Sequence, residues 1–335
     1  MNTLDRSATL TPPSAFAAVE HGESGDRLVL VEWPGGHITA LTEYGKTPQA
    51  LTFSDDGSRL AYRIGTCLQF YSPAAPDHAL RVTDLDVQAR KPFTFSSDGR
   101  HLWAATTTGL AVVDTAPVDQ AANATQLVAS VGAGCRIAEV VRAPSMDSLW
   151  TLCSPAPGTN APQVLQFDAA AKQLVARLAP GASHILGFRP DGAVLYTRTV
   201  GAGDEVVALG DFGLEVVRPA MENEFILNYL PSSHLLIVAH GVEDTSDTTA
   251  LMIGPLIGEM RPWLRQFPRL TDLAVTSDEQ WAVFVDRASG DNLHNSGSIH
   301  ISAVGSNDAK LIIATNETRS FSTPIARPLL QKPQR

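Results

Sequence analysis

Three eight-residue segments of this chain are variants of one another, and no other feature narrows the fold as far. Phe53-Ser-Asp-Asp-Gly-Ser-Arg-Leu60, Phe95-Ser-Ser-Asp-Gly-Arg-His-Leu102 and Phe188-Arg-Pro-Asp-Gly-Ala-Val-Leu195 all read Phe-x-x-Asp-Gly-x-x-Leu. At average residue usage, four fixed positions match by chance on the order of 10⁻⁵ per site. Three copies in 335 residues are therefore an internal repeat. The first two lie 42 residues apart and the next two 93 apart, which is two periods. Degenerate copies fill the series at 141–150, 229–236 and 275–282, and a weak first copy runs from 15 to 31 with Gly25-Asp26 in its turn. The chain thus holds seven units. Their clearest anchors are Phe53, Asp56, Gly57, Phe95, Asp98, Gly99, Phe188, Asp191 and Gly192.

Each unit has a physical reading. An apolar run such as 50–53 is a strand, and Asp-Gly after it is a tight-turn signal, because glycine accepts a positive φ and aspartate tolerates it. A second apolar run follows at 60–64 or 102–105, then a third at 67–71, 110–114, 164–168, 206–209, 250–254 and 298–303. A more polar fourth run closes the unit at 80–83, 127–130, 174–178, 215–218 and 310–314. Four short strands at a period of 41–47 residues describe a propeller blade. The chain is therefore expected to be all-β, a single β-propeller of seven four-stranded blades, with six as the alternative count. The blades are expected at about 15–48, 49–90, 91–134, 135–180, 181–221, 222–269 and 270–318, within a propeller spanning 15–323. A stretch at 319–326 is expected to close the ring, since closure removes edges that would otherwise pair with other chains. Residues 1–14 and 327–335 read as frayed tails.

Phe-Ser-x-Asp-Gly-x-x-Leu between the first two strands of a blade resembles the bacterial WD40-like, TolB-like and YVTN β-propellers. The resemblance covers about residues 15–318 and implies the fold without any one activity. The Gly-His and Trp-Asp dipeptides of true WD40 repeats are missing. Trp103, Trp150 and Trp281 fall in second strands and are expected between blades.

Composition excludes several function classes. The longest apolar stretches, such as 235–239, are five residues, far short of the ~18 needed to span a bilayer. A net charge of -10 with no basic block argues against nucleic acid and against an anionic membrane surface. Residues 1–11 are polar and lack the apolar core of a secretory signal. Cys67, Cys135 and Cys153 form no metal-ligand spacing and are expected as three free thiols in a reducing cytoplasm. Hairpin spacing permits Cys135 and Cys153 to approach each other without requiring it.

Two surfaces are candidate binding sites. Loops between second and third strands are expected to be long at 154–162, 198–205, 241–249 and 286–297. They carry Asp204, Glu205, Glu243, Asp244, Asp247, Asp286 and Asp291, an acidic face that would steer a basic partner. The second is the run from Arg261 to Arg269. If extended, it places Arg261, Trp263, Arg265, Phe267 and Arg269 on one face, and Trp and Arg are enriched at interface hot spots. Pro262 and Pro268 suit an outer edge strand there. No catalytic motif is present: no nucleophile elbow, zinc helix, Walker loop or dinucleotide loop. Asp286, Asp291, Asn292, His294 and His300 match no metal-ligand pattern, so neither metal nor cofactor is expected. Innermost-strand positions are mostly Ala, Thr, Val and Leu, with Glu139, Glu224 and Asp272 as exceptions. The expected function is a non-catalytic scaffold, cytoplasmic, binding a protein partner in a bacterial multiprotein assembly. The alternative is a propeller hydrolase or lactonase of the 6-phosphogluconolactonase or gluconolactonase type, acting at the central channel.

Overall fold

The computed structural model describes residues 14–72, 85–86, 89–115, 126–131, 135–143, 148–155, 163–168, 173–177, 179–241, 248–268, 270–286, 297–314 and 319–328. They form antiparallel sheets and, among the described residues, no helix. The first blade is made by β1 (Ala15–Gly22), β2 (Gly25–Glu32) and β3 (Ile38–Ala40), and the second by β4 (Gln49–Phe53), β5 (Leu60–Ile64) and β6 (Cys67–Tyr71). The third holds β7 (Phe93–Phe95), β8 (His101–Thr106), β9 (Gly109–Asp114) and β10 (Gln126–Ser130). The fourth holds β11 (Cys135–Arg142), β12 (Leu149–Pro155), β13 (Gln163–Asp168) and β14 (Gln173–Arg177). The fifth holds β15 (Ala182–Phe188), β16 (Val194–Val200), β17 (Gly203–Gly210) and β18 (Gly213–Arg218). The sixth holds β19 (Glu224–Leu230), β20 (Leu235–Gly241), β21 (Thr248–Pro255) and β22 (Arg261–Pro268). The seventh holds β23 (Leu270–Val275), β24 (Trp281–Asp286), β25 (Ser298–Ala303) and β26 (Ala309–Ile313), and β27 (Arg319–Ala326) follows. This is a seven-bladed β-propeller. The fourth strand expected at 80–83 lies outside the described residues.

Ring closure uses the last strand. The sheet order β27-β1-β2-β3 makes β27 the innermost strand of the first blade. The weak first copy is therefore one strand out of step: 15–22 is a second strand, and the turn between Gly22 and Gly25 joins second to third. The repeat signal was misplaced because the true first strand is supplied from 300 residues downstream, with no Asp-Gly turn after it.

The repeat turns share one hydrogen-bonding scheme. Asp56 accepts from the Ser58 N–H (2.9 Å) and the Ser54 hydroxyl (2.6 Å), while the Gly57 N–H donates to the Ser54 carbonyl (2.8 Å). Asp98 accepts equivalently from Ser96 and the Arg100 N–H, and these bonds hold its carboxyl below the usual range. Gly57, Gly99 and Gly192 take φ of 66°, 66° and 86°. Degenerate copies keep the left-handed residue without glycine: His234 and Glu279 both have φ of 56°. Glu279 compensates with contacts to the neighbouring blade, its carboxylate accepting from the Ser232 and Ser233 N–H groups at 2.7 and 2.9 Å. Turn length varies as well. Phe53 pairs with Leu60 and Phe95 with Leu102, but Phe188 pairs with Val194, one residue earlier.

The core is divided into seven apolar clusters among the described residues, each between adjacent blades. Burying apolar area at roughly 25 cal/mol per Å² is the main force holding blades together. Phe95 packs edge-on to Phe70 across the second and third blades, at 6.2 Å between centroids. Trp150 meets Phe188 across the fourth and fifth at 6.4 Å. Trp103 and Trp281 also pack in inter-blade clusters, as their second-strand positions imply.

Candidate functional site

Of the expected acidic face, Asp204, Glu205 and Asp286 are among the described residues. Residues 198–205 are not a loop: β16 runs to Val200 and β17 begins at Gly203, leaving a tight hairpin with Gly201 at φ 63°. Within it, Asp204 accepts from the Thr199 hydroxyl (2.9 Å), and Glu205 is buried and paired with Arg198. Asp286 ends β24, accepts from the Ser298 N–H (3.2 Å) and faces His300 at 2.9 Å. Glu243, Asp244, Asp247 and Asp291 lie outside the described residues, as do Asn292 and His294. Among the described residues no three His, Cys, Asp or Glu side chains gather as metal ligands.

Of the run from Arg261 to Arg269, Arg261–Pro268 forms β22, the outermost strand of the sixth blade, as its prolines imply. Trp263, however, is 0% exposed and packs with Leu251, Ile253 and Phe284 between the sixth and seventh blades. This corrects its place on a docking face. Pro262 pairs with Met252 and Leu264 with Leu251, so Trp263 is the extra residue of a bulge. The bulge breaks the two-residue alternation that would have put Trp263 beside exposed Arg261. The side chains of Arg265 and Phe267, and the whole of Arg269, lie outside what the structure describes.

The cysteine expectation is also corrected. Cys135 and Cys153 are joined by a disulfide, with Cα atoms 5.5 Å apart, and Cys67 is the free cysteine. Cys135 pairs with Pro155 and Ile137 with Cys153, so the two cysteines are diagonal neighbours on one sheet face. Titration of the denatured, unreduced protein should find one thiol. Replacing both cysteines by Ser should cost about 2–4 kcal/mol in urea melts. Three thiols would restore the reduced reading.

A cluster at the central channel was not anticipated. The segment before β7 crosses to the next blade: the Arg90 and Lys91 N–H groups donate to the Ala138 carbonyl, and the Val140 N–H donates to the Lys91 carbonyl (2.8 Å). Register shifts at 137/139 and 182/184 are bulges in the innermost strands β11 and β15. Such bulges re-aim side chains, and these two bring Glu139 and His184 together. Glu139 is 1% exposed. It accepts from His184 Nδ1 (2.7 and 2.9 Å) and the Ile185 N–H (2.9 Å), and pairs with Arg90 at 3.0 Å. Burial alone would raise its pKa, but the hydrogen bond from His184, then the Lys91 charge and the Ile185 N–H, hold it below the usual range. Nδ1–H of His184 is committed to the carboxylate, so Nε2 is the acceptor for Lys91 Nζ at 3.2 Å. Lys91 lies open to the channel yet ringed by protein. Desolvation pushes its pKa down, Glu139 opposes that and Arg90 adds to it.

Beside this relay is a cavity of about 320 Å³, walled by the innermost strands of blades two to five. Lys91, Arg90 and Arg142 line it with Leu51, Phe93 and Ile185. Arg142 also donates to the Phe95 carbonyl (3.0 Å) and pairs with Asp55. Glu139 is legible in the sequence as a carboxylate on an innermost strand. Lys91 precedes a three-residue strand and escapes any periodicity argument. Glu224, the second such acid, is a buried partner of Arg218 at 2.8 Å, and Asp272 has no described side chain.

A second feature is the rim of blade five. β18 is its outermost strand, and Phe212, Leu214 and Val216 are 108%, 41% and 50% exposed. Leu214 pairs with Leu209 and Val216 with Val207, so both continue an apolar sheet face outward to solvent.

No family model matches the chain, and no curated protein matches its sequence. Solved structures do. TolB from Acinetobacter baumannii superposes with a TM-score of 0.55 at 12% identity, over 94% of this chain and 67% of that one. An oligogalacturonate lyase in complex with manganese gives 0.63 at 13%, over 90% and 84%. The β-propeller domain of Myceliophteria thermophila Cps50 (Swd1) gives 0.57 at 12%, over 83% and 89%. The fold is that of the TolB-like and WD40-like propellers. At these identities the likeness shows the fold alone. No helix among the described residues is long and apolar enough to cross a membrane.

Proposed function

We propose that the protein is a non-catalytic interaction propeller that binds a partner protein along the open edge of β18. The observation that carries this reading is the apolar stripe of Leu214 and Val216 on an outermost strand, with exposed Phe212 in the turn that leads into it. An edge strand offers a row of backbone donors and acceptors on its outer side, and proteins that do not use such an edge blunt it with charge, proline or a cover. Here Leu214 and Val216 present an exposed apolar face on that edge. An added strand would gain main-chain hydrogen bonds and seat alternate side chains on the stripe. Asp211 and Glu215 interleave with the stripe and the chain carries a net charge of -10. The occupant that fits is an extended segment whose apolar residues alternate with Lys or Arg. The Cys135–Cys153 disulfide supports an oxidising compartment as its place of work.

The test is a triple variant, Phe212→Ser, Leu214→Thr and Val216→Thr. Its melting temperature should stay close to wild type, because all three side chains are exposed. Partners co-purified with the wild type should fall by roughly tenfold, a loss of about 1.4 kcal/mol. A purified partner should slow hydrogen exchange at the 213–216 amides. An unchanged partner set would refute the reading.

The Lys91–His184–Glu139 relay beside the cavity favours a second reading, a propeller hydrolase or lactonase working at the channel. Hydrolysis of gluconolactone by the wild type, lost in Lys91→Met, would put that reading in place of the first.

A further inference from the structure

We infer that the channel cavity is a binding site for a small carboxylate with a compact apolar body, its head held by Lys91 between Arg90 and Arg142. The argument starts from charge. The protein carries a net charge of -10, yet three cations line this one cavity. Of the nearby acids, Glu139 is fully engaged by His184, Arg90 and the Ile185 N–H, and Asp55 is paired with Arg142 from outside the cavity wall. Among the described residues, Lys91 Nζ has a single hydrogen-bond partner, the neutral face of the His184 ring at Nε2. An ammonium has three donors, so the rest of its capacity is turned to the lumen. Glu139 offsets the desolvation of Lys91 only in part, since its oxygens are bonded to His184, Arg90 and the Ile185 N–H, and an incoming anion would offset the rest.

Shape and lining then define the ligand. About 320 Å³ is at the small end of ligand sites and equals roughly ten waters. Leu51, Phe93, Val141 and Ile185 supply apolar walls, with Thr52 and Thr94 as polar exceptions. A fully hydrated inorganic ion would leave those walls unused. A carboxylate on a branched aliphatic body would fill them, while its two oxygens match guanidinium and ammonium donors. Glu139 and His184 stand on strands, Lys91 on the segment tied to β11 just before β7, and the two bulges and cross-blade backbone bonds fix the Lys91–His184–Glu139 geometry before any ligand arrives.

Calorimetric titration with 4-methylpentanoate, 4-methylpentanamide and inorganic phosphate tests this on the whole protein. The carboxylate should bind one to one, and the isosteric amide and phosphate at least tenfold more weakly. Lys91→Met should lose the carboxylate by tenfold or more, and Lys91→Arg should retain it. Should Lys91→Met fail to fold, protection of Lys91 in the wild type decides: a water-soluble acetylating reagent should label it more slowly with the carboxylate present and equally fast with the amide. No carboxylate binding at millimolar concentration would overturn the proposal. So would equal binding of the amide or phosphate, wild-type affinity in Lys91→Met, or unprotected Lys91.

Discussion

Ending the chain at residue 318 should abolish the cooperative melting of the protein. That deletion removes β27, which pairs with β1 from Phe16↔Ala326 to Gly22↔Arg319. It takes Phe321, fully buried between the seventh and first blades, out of its cluster with Phe16, Val29 and Val283. It also breaks the paired backbone bonds between Phe321 and Gly297 (2.8 and 3.1 Å), the Ser322 bond to His21 (2.7 Å) and the Arg327 bond to the Gly57 carbonyl (2.9 Å). The first blade would be left with β1 as a raw edge facing the channel. A net stability of about 5–15 kcal/mol for a folded domain cannot absorb the loss of a whole inner strand. Calorimetry of the truncated chain should show no two-state transition, and glycerol-free gel filtration should show aggregates. A truncated chain that melts like the full one would mean the ring does not depend on this strand.

Trp263→Ala should cost about 3–5 kcal/mol, the usual range for removing a fully buried indole. Trp263 sits in the gap between the sixth and seventh blades, and truncation would leave a cavity against Leu251, Ile253 and Phe284. Its Nε1 is buried without a hydrogen-bond partner among the described residues. Trp263→Phe, which deletes that donor with part of the volume, should therefore cost less than half as much. Urea melts measure both. A Trp263→Ala protein as stable as wild type would return the residue to the surface.

Where the sequence could be read, local chemistry decided the structure. Asp56 and Gly57 make a turn whose bonds all lie within six residues, so its signature survives in the text of the chain. The readings that failed involve partners distant in sequence or single-residue irregularities. The first blade borrows its inner strand from the far end, so a local search put its anchor on the wrong strand. One bulged residue turned Trp263 inward, and a bulge beside Ala138 turned Glu139 toward a histidine on another blade. The cysteines illustrate the boundary well. Spacing put them either on one face or on opposite faces, and a choice between those needs the register, which the bulge at 137/139 sets. The expected strand is there as Arg261–Pro268, but alternation could not say which of its side chains faces out.

The position of β27 has a consequence for how the molecule is made. During synthesis β1 emerges among the first strands, and its inner neighbour is more than 290 residues behind it. A ribosome adding about 5–20 residues each second takes some tens of seconds to cover that distance. For that interval the growing chain is an open arc of blades in which β1 lacks its inner partner. The keystone arrives last, so the nascent arc must be kept apart from its copies, and a quality-control protease would meet a large window of incompletely folded chain. Messenger features or chaperones that shorten or shield this interval would raise yield without altering a single contact in the finished ring.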